Sequence, residues 1–93
     1  MSLQSRIETK LTAAFSPERL IVVNESHLHA GHQPDFHGTG ETHMRVRIVS
    51  SAFIGMSRVA RHRAINDVLK SEFDDGLHAL AVEPAVPGET TRW

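Results

Sequence analysis

The chain has no cysteine in its 93 residues, and four Phe and one Trp are its only aromatic bulk. Without a thiol it has no disulfide framework and no thiolate metal site of its own. Any sulfur ligand must come from a partner. No apolar run approaches the roughly 18 residues that would suggest a membrane span. The opening "MSLQSRIETKL" lacks the apolar core of a signal peptide. The expectation is a cytoplasmic protein that makes no membrane contact. Catalytic signatures are missing too: there is no G-x-S-x-G turn and no H-E-x-x-H helix. Ser26, Glu25 and His29 can be drawn as a triad, but nearness in a loop is not catalytic geometry. The chain reads as a non-enzyme. Net charge is −1 at pH 7, so there is no global pull toward a polyanion. Acidic residues are nevertheless absent between Glu41 and Asp67, where Arg45, Arg47, Arg58, Arg61 and Arg63 all fall. One side of the molecule should be locally basic.

What is present reads as one domain over 1–93, with a single modest core. Ser2 is placed to cap a helix whose apolar stripe is Leu3, Ile7, Leu11 and Phe15. Pro17 disfavours helical geometry at Ser16 and ends it. Ile21, Val22 and Val23 form a β-branched run that reads as a strand. In "HMRVRIVS", Met44, Val46 and Ile48 alternate with Arg45 and Arg47, which predicts a strand with one buried face. Gly55 turns the chain and Ser57 can cap a helix from Arg58. Ile65, Val68, Leu69 and Phe73 share one helical face, with a kink expected in "RHRAI" and a stop at Gly76. "LHALAV" is a third strand, and 83–93 reads as a tail. The expected fold is α+β, in the order α-β-β-α-α-β. Its three-stranded mixed sheet has the first two strands antiparallel and the third parallel, after a right-handed crossover. The helices cover one face. A long mobile loop is expected over 27–42, because Gly31, Pro34, Gly38 and Gly40 interrupt both helix and strand.

Five of the seven histidines lie in "NESHLHAGHQPDFHGTGETH": His27, His29, His32, His37 and His43. Neutral imidazole ligates iron, zinc and copper, yet a histidine in a polar loop is most simply a surface residue. "HLHAGH" has H-x-H-x-x-H spacing, which three imidazoles and a carboxylate could turn into a zinc site. His78 opens the third strand and, by alternation, shares a face with Leu80 and Val82. It reads either as a core-edge residue or as a ligand. His43, at a strand entrance, reads as structural. Arg61, His62 and Arg63, with Arg58 before them, suit a phosphate backbone or an acidic or glutathione-bearing partner. Alternatively, His62 bridges to the sheet and the arginines are solvated. A KH-type clamp on single strands would need G-x-x-G, which is absent.

"NES" with a histidine three residues beyond the serine, "ETHMRVRIVSSAFIGMSRVARHRAI" and "GLHALAV" resemble the BolA family. The string F-x-G-x-S-x-V-x-R-H-R, from Phe53 to Arg63, carries most of the likeness, which runs from the first helix through Val82. The resemblance implies a fold similar to type II KH domains. It also implies partnership with a monothiol glutaredoxin in a heterodimer that shares a [2Fe–2S] cluster. There the glutaredoxin cysteine and a glutathione thiol bind one side and BolA histidines the other. Carried over by position, those histidines are His78 and His29. This loop is longer than is usual in the family, and His27 or His32 could stand in for His29. The isolated chain would then hold no cluster. Some family members are described as DNA-binding transcriptional regulators, which is the alternative. At most about five arginine–phosphate contacts would make such binding weak and salt-sensitive.

Overall fold

The computed structural model describes residues 2–25 and 43–91. The loop read over 27–42, with His27, His29, His32 and His37, lies outside them. Helix α1 spans Leu3–Phe15; the Ser2 hydroxyl accepts a hydrogen bond from the Ser5 N–H at 3.1 Å. Ile7 and Leu11 are fully buried, and burial of such a side chain is worth about 1.5–3 kcal/mol. At Ser16 the backbone turns left-handed (φ 44°) before Pro17, and its N–H still bonds the Thr12 carbonyl.

Strands β1 (Arg19–Asn24), β2 (His43–Val49) and β3 (Ala79–Ala85) form a sheet with β2 at its centre. Strand β1 runs antiparallel to β2, with Val22 opposite Val46; β3 runs parallel to β2, with Val82 opposite Val46. The alternation read in "HMRVRIV" holds: Met44, Val46 and Ile48 are buried while Arg45 and Arg47 stand on the other face. A 3₁₀ turn at Ser51–Phe53 leads toward the second helical region. Buried Ser50 fixes this corner: its hydroxyl donates to the Phe15 carbonyl at 2.6 Å and accepts from the Ala52 N–H.

Helices α2 (Arg58–Val68) and α3 (Lys70–Asp74) complete the crossover, and Ser57 caps α2 through the Ala60 N–H. The kink expected at "RHRAI" is not there. The helix breaks instead at Leu69, whose N–H is shared between the carbonyls of Ile65 and Asn66. Sharing one donor between two carbonyls tightens the last turn. Inner-face residues of the sheet, Ile7 and Leu11 of α1, Ile65 of α2, and Leu69 make one core.

Two features go beyond the sequence pattern. The residues read as the start of a tail, Glu83 to Ala85, belong to β3 and pair with Arg47 to Val49. Pro84 is tolerated there because β3 is an edge strand, where a missing N–H costs no ladder bond if it faces outward. Glu72 of α3 is fully buried against α1, its two carboxylate oxygens 2.8 Å from Arg6 and 2.9 Å from Lys10. The Arg6 nitrogen approaches Oε2 off the hydrogen-bonding direction, so that contact is ionic rather than a directed bond.

Candidate functional site

One end of the sheet gathers the root of the histidine-rich segment and the start of β3. The Glu25 N–H bonds the His43 carbonyl at 2.8 Å, and His43 lies in register with Ala79. Glu25 and His43, the described residues that flank 26–42, therefore stand at the end of the sheet where β3 begins.

His78 has little backbone freedom. Leu77 before it is buried, and its N–H bonds the Glu72 carbonyl at 3.0 Å. Ala79 after it is paired in the sheet. Gly76, at φ 130°, makes the turn that brings the chain from α3 to this point. The imidazole itself is exposed, so the core-edge alternative does not describe it. Its ring centroid lies 6.4 Å from that of His43, the planes inclined by 36°. Local sequence gives no sign of this pair, because it arises from parallel register between strands far apart in the chain.

The Arg58–Arg63 group divides. Arg61 is mostly enclosed: its guanidinium donates to the carbonyls of Met56 at 3.1 Å and Pro84 at 3.4 Å, and meets the Glu89 carboxylate at 3.1 Å. His62 places Nδ1 2.7 Å from the Arg58 carbonyl and Nε2 3.2 Å from the Val82 carbonyl. With both ring nitrogens against carbonyls, it fastens α2 to the outer edge of β3 and has no nitrogen to offer a ligand. Arg58 and Arg63 are exposed and form no ion pair among the described residues. A cleft of about 470 Å³ lies beside Arg58, lined also by His62, Val82, Pro84, Glu89 and Thr91. It sits along the later half of β3, away from the histidine pair.

The uncovered face of the sheet is an ionic ladder. Arg45 meets Glu25 at 2.9 Å and Glu83 at 3.4 Å, and Arg47 meets Glu83 at 2.9 Å. Hydrogen bonding from Arg47, then from Arg45, holds the Glu83 carboxyl below its ordinary value against the opposing effect of burial. The Glu25 carboxylate raises the Arg45 guanidinium in turn. These two arginines are thus already neutralised. Glu89 is likewise lowered, first by the Val86 N–H and then by Arg61.

No helix among the described residues is long and apolar enough to cross a membrane. A family profile described as BolA-like protein matches residues 11–89. An uncharacterized protein from the cobS 5′ region of a Sinorhizobium species is 77 % identical over 93 residues, covering all of both chains. The Vibrio cholerae protein named DNA-binding transcriptional regulator BolA is 41 % identical over 80 residues, covering 86 % of this chain and 71 % of its own. BolA1 from Arabidopsis thaliana superimposes with a TM-score of 0.87 at 38 % identity, over 98 % of each chain.

Proposed function

Because this chain belongs to the BolA-like protein family, we propose that it partners a monothiol glutaredoxin and supplies imidazole nitrogen to a shared [2Fe–2S] cluster. The observation that carries this reading is His78: an exposed imidazole on a backbone pinned on both sides, at the sheet end where the histidine-rich segment is rooted. Ligands bind best when their surroundings fix their direction.

The donor chemistry fits. This chain offers nitrogen and no thiolate, so sulfur comes from the glutaredoxin cysteine and glutathione. Histidine in place of thiolate makes a cluster site less negative and raises its potential. Within this chain, His78 binds, and the turn from Gly76 to Leu77 orients it. His29 supplies the second nitrogen, with His27 and His32 as substitutes. The role is cluster trafficking or iron and redox sensing.

The test is visible circular dichroism and electron paramagnetic resonance of the protein mixed with cluster-loaded glutaredoxin. His78→Ala is expected to remove the histidine-ligated spectral form. A wild-type spectrum from that variant would sink the reading. The second reading, a nucleic-acid-binding regulator, is favoured by the name of the Vibrio relative and by exposed Arg58 and Arg63.

A further inference from the structure

We propose that Arg6 is a positioning residue for His78. Acting through Glu72 and Asp75, it fixes the turn from α3 into β3 and so sets where the imidazole stands. The role rests on the cluster reading, in which His78 is the ligand; Arg6 itself is none.

The turn does not hold itself. Helix α3 has only five residues, and an isolated helix of fewer than roughly 12 is marginal in water. It closes by the pairing common where a helix ends on a left-handed glycine. The Leu77 N–H bonds the Glu72 carbonyl at 3.0 Å, and the Gly76 N–H reaches the Phe73 carbonyl at 3.5 Å. The second bond is long, so Leu77 depends chiefly on the first. Gly76, at φ 130°, lets the chain reverse there. His78 follows directly. Whatever places Glu72 therefore places Leu77, and Leu77 places His78.

Glu72 is placed by its side chain. Arg6 and Lys10 stand one turn apart on α1 and project from the same face. They meet the two carboxylate oxygens from two points, at 2.8 Å and 2.9 Å. The same Arg6 nitrogen donates to the Asp75 carboxylate at 2.6 Å. Asp75 immediately precedes Gly76, so one guanidinium grips both the helix and the first residue beyond it. A leucine at 72 would fill similar space, and replacing a buried ion pair by apolar packing is often neutral or stabilising. An apolar contact lacks direction, however. It lets a short helix slide or roll on α1, where two ion pairs and a hydrogen bond do not. Placement of the turn, rather than stability, accounts for a charge at this buried position.

Two measurements test this: amide exchange of the free chain, and spectral titration with cluster-loaded glutaredoxin. Arg6→Met removes both contacts of the guanidinium and keeps the apolar stem. The Leu77 amide should then exchange about tenfold faster, while the amides of β2 keep their protection. The glutaredoxin concentration giving half of the histidine-ligated signal should rise about tenfold, the low end for losing a group that orients a ligand. Arg6→Lys should recover part of both changes. Glu72→Leu should keep or raise the urea midpoint and still raise the half-signal concentration. A merely structural role would move stability and spectrum together. Wild-type exchange and titration in Arg6→Met overturn the proposal, and so does a signal that weakens only in step with stability in both variants. If Arg6→Met does not fold, Glu72→Leu decides, and a wild-type titration from it overturns the proposal. His78→Ala keeps the two readings distinguishable. If that variant loses the signal while Arg6→Met and Glu72→Leu keep it, this proposal alone fails. A wild-type spectrum from His78→Ala sinks the cluster reading and this role with it.

Discussion

At the scale of single residues, the contrast is between side chains whose surroundings fix them and side chains with neighbours that can replace them. His78 is of the first kind, set between buried Leu77 and paired Ala79. His29 is flanked in sequence by two further imidazoles, His27 and His32. His29→Ala should therefore weaken or alter the histidine-ligated spectrum of the glutaredoxin mixture without abolishing it. If it erases the spectrum as completely as His78→Ala does, substitution by His27 or His32 is ruled out. Glu72 is the other residue whose role is set by its surroundings. It is a fully buried carboxylate, and its partners Arg6 and Lys10 are each about a third exposed, with side-chain exposures of 31 % and 37 %. The cations can rehydrate when the carboxylate goes, which limits the loss. Glu72→Ala should cost about 1–3 kcal/mol in urea unfolding, with an unchanged slope, through the lost charged contacts. A loss below a few tenths would mean that α3 is held to α1 by apolar packing alone.

At the scale of elements, β3 and the segment after it are the informative case. The outward carbonyls of Val82 and Pro84 accept from His62 and Arg61, and Glu89 closes on Arg61 and the Val86 N–H. The Glu89 carboxyl is held below its ordinary 4.5 by the Val86 N–H first and Arg61 second. A carboxyl lowered in the folded state stabilises above its unfolded value, and the benefit disappears as pH falls through the folded value. Amide exchange at residues 86–91 should accordingly rise as pH drops below about 4.5, after correction for intrinsic rates. Glu89→Gln should flatten that rise. A variant with the same pH dependence as wild type would assign it to another group, such as Glu83. The same elements show what the sequence could reveal. The four-residue stripe of α1 and the alternation of β2 report burial directly, because each repeats one local environment. "EPAVPG" reports nothing of the kind: its two prolines suggest a tail, and only the edge position of β3 makes Pro84 acceptable. The break at Leu69 was hidden by an uninterrupted apolar face from Ile65 to Phe73. His43 beside His78 was invisible because it depends on which strands become neighbours.

At the scale of the whole molecule, charge placement bears on the nucleic-acid reading. The sequence concentrates five arginines between Glu41 and Asp67. The fold then divides them. Arg45 and Arg47 lie on the uncovered sheet face and meet Glu25 and Glu83. Arg61 is spent on carbonyls and Glu89, its side chain only 12 % exposed. Arg58 and Arg63 remain on the surface of α2. Each phosphate contact on duplex DNA contributes about −0.9 to the log–log salt slope, so two contacts give about −1.8, where five would have given about −4.5. To recruit Arg45, Arg47 or Arg61, DNA would have to displace a carboxylate already bound, which offsets most of the gain. Fluorescence anisotropy with a labelled duplex across 50–200 mM salt should thus show weak binding with a slope near −2. Arg58→Ala and Arg63→Ala should each make it shallower by about one unit. A slope near −4.5, or tight sequence-specific binding at physiological salt, would mean the ion pairs open on DNA. The regulatory reading would then displace the cluster reading as the better account of this fold.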